Sequence, residues 1–471
     1  MPPCRPVPVP ATRLRDRFTA LGLLPLVVLL TTACEVGPGP DPDSTGGAGA
    51  TSAASADHPF SDDPTLWPSI REERIRTLLG PAMARAGVES WVVLARENAN
   101  DPLAKHIGAE NAGGLAAFLF FADAQGNLES LAISPSTEST ALAEVTPLDR
   151  VMAIPPGMSV YGAVAVELQN RNPASIAVNS SSRNAADGLS WTQRNALESA
   201  LGPELSGRLV SSGDLVVEWL SVKLPREIQI MRRAAELTEE LELEAYAMIE
   251  PGVTTDAEVA AFLDRRMAEL GVGEAWAPDQ NPNVNSGPDR GHSHSTGKVI
   301  LPGDVIQTDF GIRVHDTWVT DIQRFAYVLR DGETEAPPEM QERWELAKAG
   351  NRAAFAAMRP GATGWEVDRA QRELLETNGS IPIIWSTGHP VGYWAHDLGP
   401  RLGGSNGGRP ASGDAARELV AGQTFAFDGF FGWEREDGTT KTISVEEMVV
   451  ITEESAEWLI APQEEWVLVG G

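Results

Sequence analysis

Four carboxylates and two imidazoles in the C-terminal part of the chain have the types and surroundings of a metal centre: Asp309, Asp321, His389, Asp428 and Glu446, with His396 close behind His389. Asp309 interrupts the apolar run Val305-Ile306-Gln307-Thr308-Asp309-Phe310-Gly311, and Glu446 sits in Ser444-Val445-Glu446-Glu447-Met448-Val449-Val450. A carboxylate buried without a partner costs several kcal/mol or gives up its charge. Acids that meet inside a fold therefore call for a compensating cation, and two divalent ions are the simplest compensation. Such ions would polarise a carbonyl and make a water acidic enough to attack it. The competing reading pairs Asp321 with Arg324 or Arg313 and leaves Asp309 to cap a turn. The only cysteines are Cys4 and Cys34, both near the N-terminus, so no thiolate is at hand and any ion must be held by oxygen and imidazole nitrogen. That donor set suits Mn²⁺ first, while Zn²⁺, Co²⁺ and Fe²⁺ also tolerate it.

The acids need strands to carry them and helices to cover those strands. Ile230, Ala234, Leu237, Leu241 and Met248 predict a long amphipathic helix ended by Pro251-Gly252, and Thr255 with Glu258 caps a second. The pattern returns later in the chain. Trp344 to Met358 reads as a helix, Pro360-Gly361-Ala362-Thr363 as a break, and Glu366 to Leu375 as another helix closed by Asn378-Gly379. MIEPGVTTDAEV and MRPGATGWEV match with a one-residue offset, the mark of an internal duplication. A strand bearing Asp309 follows the first pair, Asp321 comes after a turn at His315-Asp316, and the Gly-rich segment STGHPVGYWAHDLGP carries His389 and His396.

Upstream, the chain divides by composition. Arg5, Arg13, Arg15 and Arg17 precede an apolar stretch from Phe18 to Leu30, too short to span a bilayer, and then Leu30-Thr31-Thr32-Ala33-Cys34. Residues 1–34 read as a lipoprotein-type signal with Cys34 as the lipidated mature terminus, giving an exported enzyme anchored to the bacterial cell envelope. Residues 35–60 are a Gly, Pro, Ser and Ala tether. From 61 to 221 the elements alternate as in an α/β domain: a helix capped by Ser69 and Glu72 and stopped at Gly87, then strands at Trp91–Ala95, Leu115–Ala122 and Leu128–Ile133. No chemical motif occurs in that part, which leaves it to shape the site held by residues 222–471. The formal charge of -29 argues against a nucleic-acid partner, because such partners require Lys and Arg to displace counterions.

In the order Asp, Asp, His, acid, Glu, the region from about residue 225 to 471 resembles the pita-bread metallopeptidases, the family of methionine aminopeptidase, Xaa-Pro aminopeptidase and prolidase. Residues 61 to 221 look like the N-terminal domain of its proline-specific branch and of creatinase. The resemblance implies an α/β N-terminal domain followed by an α+β pita-bread domain with pseudo-twofold duplication. It implies two divalent ions held by Asp309, Asp321, His389, Asp428 and Glu446, and a short peptide substrate, with Xaa-Pro bonds the expected target. His396 would act beside the substrate, and either His292 or His294 would be the second substrate-side histidine. Members often dimerise. This chain departs from the pattern in having Asp428 where Glu is usual, Ser444 where Arg is frequent, and one extra residue between Asp309 and Asp321. A metal-free creatinase-like amidinohydrolase and a non-catalytic binding protein are the alternatives on the same scaffold.

Overall fold

The computed structural model describes residues 60, 63–98, 101–287 and 294–470. The signal segment, Cys34 and the tether before Phe60 lie outside the described residues, as does His292. Among the described residues, no helix is long and apolar enough to cross a membrane.

Helix Leu66–Arg74 opens the described fold, running on through a π segment at Ile75–Leu79 and helix Gly80–Arg85. Its start corrects the expected Ser69–Glu72 cap. The Asp63 carboxylate accepts from the Thr65 amide (2.9 Å), which turns the chain a full turn earlier. Ser69 therefore lies inside the helix, its Oγ bonded to the Leu66 carbonyl, and Glu72 pairs instead with Arg76. Gly87, at φ 67°, ends the run as expected.

The strands β1 (Ser90–Arg96), β2 (Leu115–Ala122), β3 (Leu128–Ser134), β4 (Arg150–Ala153), β5 (Ile176–Val178) and β6 (Leu209–Ser211) form one mixed sheet in the order β4-β3-β2-β1-β5-β6. Helices Val160–Arg171 and Trp191–Ser206 share one apolar cluster with it, built on Leu119, Leu131, Val164 and Leu197. On the other side Trp91 and Phe120 join Trp219 in a cluster that continues into the C-terminal half through Met231 and Trp318. Burying aromatic surface on this scale, at roughly 25 cal/mol per Å², holds the two halves together.

The C-terminal half repeats itself. Helices Pro225–Ala247 and Asp256–Leu270 form the first pair, Pro338–Ala357 and Gly364–Thr377 the second. In each pair the second helix carries a capping box, Thr255 with Glu258 and Thr363 with Glu366. Both linkers turn at a glycine with φ 82°, Gly252 and Gly361. The repeat extends to the backbone, since Gly252 donates to the Ile300 carbonyl and Gly361 to that of Leu419. Helix Pro338–Ala357 begins earlier than Trp344 because Pro338 occupies its first turn, where a missing N–H costs nothing.

Beneath these helices run β7 (Gly273–Glu274), β8 (Asn283–Ser286), β9 (Val305–Phe310), β10 (Ile312–Val314), β11 (Trp318–Val319), β12 (Ile322–Val328), β13 (Gly388–Pro390), β14 (Thr424–Glu434), β15 (Thr440–Ile451), β16 (Ala456–Trp458) and β17 (Val467–Val469). They pair as β11-β10-β7, β17-β12-β9-β8 and β13-β14-β15-β16. His315 and Asp316, both at φ 49°, make the tight turn between β10 and β11.

Candidate metal centre

Asp309 is the last residue but one of β9, all of whose residues are buried, and Asp321 stands just before β12. The β9–β12 ladder sets Asp309 opposite Gln323, with Phe310 opposite Ile322. The β9–β12 pairing ends at Phe310 and Ile322, and the chain leaves the ladder at Gly311. A Cβ there would fall 2.0 Å from the Thr320 carbonyl oxygen, so only glycine lets the strands cross at that point. From the other half, β14 and β15 place Asp428 directly opposite Glu446. Asn351, on helix Pro338–Ala357, donates to the carbonyls of Phe427 (3.1 Å) and Val445 (3.2 Å), and Gln371 donates to the Asp428 carbonyl. These contacts fix both acid-bearing strands from behind.

His389 enters on β13, which pairs with β14 so that His389 lies opposite Ala426. A Cβ on Gly388 would lie 2.4 Å from the Ala426 carbonyl oxygen, which explains the glycine before the histidine. The approach to β13 is held by Asp368, whose carboxylate accepts from the Thr387 amide and hydroxyl and from Ser405 and pairs with Arg372.

Asp309, Asp321, Asp428 and Glu446 are all buried, between 3% and 7% exposed. His389 Nε2 is 3.7 Å from Asp321 Oδ2 and 3.9 Å from Glu446 Oε1. Donor atoms of Asp321, His389 and Glu446 lie within 4.8 Å of one another, which defines a compact three-residue set. Asp309 and Asp428 adjoin it: burial raises the Asp321 and Asp428 carboxyls well above the usual range, and Glu446 and Asp309 raise both further. Glu446 is raised by burial and then by Asp309, while the Gln323 amide acts in the opposite sense. The His389 imidazole is pushed down to about 4, by burial and then by His396, so it is neutral and offers a lone pair at neutral pH.

The pairing of Asp321 with Arg324 or Arg313 fails on geometry. Arg324 points to the opposite face of β12 and pairs with Glu447 and Glu239, each at 3.0 Å. Arg313 binds the carbonyls of Glu274 and Ala275. Asp321, Asp428 and Glu446, buried and each raised by neighbouring carboxylates, together with one neutral imidazole, fit hard divalent cations.

His396 is exposed, its ring centroid 4.3 Å from that of His389 and nearly perpendicular to it. His294 is exposed on the loop before β9 and is not part of the compact set. Sequence reasoning missed Gln323, whose amide lies among the acids, and it saw Ser444 only as an absent arginine. Ser444 Oγ in fact donates to Gln323 Oε1 at 2.6 Å.

Residues 229–453 match the profile of metallopeptidase family M24. Among curated relatives, a probable dipeptidase PepE of Mycobacterium bovis is 26% identical over 251 residues, which is 52% of this chain and 60% of that protein. A Xaa-Pro dipeptidase of Pyrococcus furiosus is 28% identical over 192 residues, 40% of this chain and 52% of the relative. The chain thus spans less than two thirds of the length of these relatives. Among solved structures, dipeptidase PepE from Mycobacterium ulcerans superposes with a TM-score of 0.62 at 22% identity, covering 85% of this chain and 98% of that one. An X-Pro aminopeptidase from Thermotoga maritima gives 0.59 at 22% identity, covering 85% and 100%. These superpositions establish the shared fold across both halves.

Proposed function

We propose, for a chain that carries a metallopeptidase family M24 domain over residues 229–453, that it is a metal-dependent exopeptidase acting on short peptides, with proline beside the scissile bond. The observation that carries this reading is the convergence of Asp321, His389 and Glu446 donor atoms within 4.8 Å, flanked by buried Asp309 and Asp428. The names of the relatives, dipeptidase and Xaa-Pro dipeptidase, point to the same substrate class.

Asp309, Asp321, His389, Asp428 and Glu446 are the residues we assign to two divalent ions, Mn²⁺ first. Bound there, such ions supply Lewis acidity toward the scissile carbonyl and the attacking water. The chain's own groups do the rest. Glu446, buried opposite Asp428 with His389 Nε2 3.9 Å away, takes the proton of the attacking water. His396, exposed beside His389, hydrogen-bonds the substrate oxygen as charge develops on it, and His294 or His292 contacts the leaving side. We assign residues 61–221 to an N-terminal domain, packed on the rest through the shared apolar cluster, that bounds the cleft. We further assign residues 1–34 to export, Cys34 to a lipid anchor at the cell envelope, and the working form to a homodimer.

The test is hydrolysis of a panel of Xaa-Pro and non-proline dipeptides and tripeptides, with and without added Mn²⁺, alongside metal analysis. Cation-dependent cleavage favouring Xaa-Pro bonds is the expected result. Retention of less than about one ion per chain after reloading rejects the reading, since at least one ion is required for the chemistry assigned here.

A further inference from the structure

Gln323 lies in the acidic cluster without being an acid. Its Oε1 is engaged twice, by Gln307 Nε2 at 2.7 Å and by Ser444 Oγ at 2.6 Å. With the oxygen held by two donors, the orientation of the amide is fixed. Its Nε2 must then face the other way, and it does: 3.5 Å from Asp309 Oδ2 and 3.4 Å from Asp428 Oδ1. The same amide acts on the Glu446 carboxyl. Gln323 is 3% exposed, and Gln307 and Ser444 are buried with it, so water does not compete for these groups.

The consequences differ for the two parts of the cluster. Asp321, His389 and Glu446 form a compact donor set by themselves. Asp309 and Asp428 meet across the Gln323 amide, which offers them N–H donors where a cation would otherwise be their common partner. An amide nitrogen is not a metal ligand, and its hydrogens point where an ion's charge would be needed. A cation drawn to Asp309 and Asp428 must displace hydrogen bonds to both of its acids, whereas one drawn to Asp321, His389 and Glu446 meets the amide at Glu446 alone.

We infer that Gln323 is a positioning residue that substitutes for a cation between Asp309 and Asp428, and so selectively weakens binding of the second ion. The inference rests on the reading of this cluster as a metal centre. It gives Ser444 a definite task as well, that of holding the amide in the orientation that competes with the ion.

Calorimetric titration of the metal-free full chain with MnCl₂ tests it, with Gln323→Met and Gln323→Glu beside the parent. The parent is expected to bind one ion tightly and a second at least tenfold more weakly. Gln323→Met removes the donors at nearly constant volume, and Gln323→Glu keeps an acceptor for Gln307 and Ser444 in case the first variant folds poorly. Each is expected to tighten the second ion about tenfold or more, a gain of about 1.4 kcal/mol. Tightening in Gln323→Glu with no change in a folded Gln323→Met would show that added charge, not loss of the donor, is responsible, and would overturn the inference. Equal affinity for both ions in the parent, or no tightening in either variant, would do the same. If the parent binds no ion at all, the metal-centre reading falls and this inference falls with it. Failure of the variants alone leaves that reading standing.

Discussion

Asp309 and Asp428 occupy equivalent places in the duplicated C-terminal half: each follows, at the same interval, a glycine with positive φ, Gly303 at 91° and Gly422 at 86°. Each then faces a polar residue across an antiparallel ladder, Gln323 for Asp309 and Glu446 for Asp428. The repeat thus delivers two acids from opposite sides, but the residues that meet them differ. Asp321, standing outside the ladder at the start of β12, breaks the symmetry and brings the carboxylate that His389 approaches most closely.

Asp321→Ala is accordingly expected to remove metal uptake and peptidase activity together. Its carboxylate belongs to the compact set and is electrostatically linked to both Glu446 and Asp309. The check is metal content by atomic spectroscopy on protein whose circular dichroism matches the parent. Full activity in this variant would remove Asp321 from the site.

His396→Ala separates binding from turnover. The imidazole is exposed and stands beside His389, outside the compact donor set. Metal content should stay near that of the parent while kcat falls by roughly two to four powers of ten, the range for loss of a positioned acid–base group. An unchanged kcat would take His396 out of the reaction.

Much of this site was legible in the sequence because a carboxylate inside an apolar strand is a local anomaly. Asp309 and Glu446 stand out in that way, and the cap at Thr255 with Glu258 is a local pattern that the fold reproduces, whereas the matching box at Thr363 with Glu366 reads in the sequence only as a break. What the sequence hid was non-local. Gln323 reads as one polar residue in a strand until Gln307 and Ser444 are brought against it. The Ser69 cap was displaced because Asp63 offered an earlier turn that patterning of apolar residues does not register. Nor does any spacing reveal that Arg74, far upstream, reaches Glu227.

The pH dependence of the metal-free protein follows from the raised carboxyls. Burial and mutual repulsion hold Asp321, Asp428 and Glu446 well above the ordinary carboxylate range. The unfolded chain loses these protons near pH 4 while the folded chain keeps them, so above about pH 4 the folded state binds more protons. Its stability then falls as pH rises. Asp368 and Glu227 are shifted the opposite way, and their contribution is lost only at lower pH, as each is protonated. Scanning calorimetry should show the Tm of metal-free protein falling from about pH 6.5 to about pH 8, above the range in which the depressed His389 and His106 imidazoles contribute with the opposite sign, with Mn²⁺ raising Tm most at the upper end. A metal-free Tm that climbs through that window would contradict the assigned burial of the acids.

Arg74→Met tests how the N-terminal half is coupled to the site. Arg74 and Glu227 are 1% and 0% exposed and 2.6 Å apart, and Arg74 also donates to the carbonyls of Trp219 and Val222. Glu227 in turn accepts from Trp318 and from the Tyr393 hydroxyl. Tyr393 belongs to the loop that carries His396, and the next residue, Asp397, is held by buried Lys223 at 3.1 Å. Removing the guanidinium leaves the Glu227 charge buried and uncompensated, at a cost of about 3 to 5 kcal/mol. Urea unfolding should show that loss, and kcat should fall even in protein that remains folded, because the loop bearing His396 loses one of its anchors. Adding Glu227→Gln to Arg74→Met should recover part of the stability, since no stranded charge remains. A double variant less stable than Arg74→Met would mean that packing around Tyr393 and Trp318, rather than the ion pair, sets this coupling.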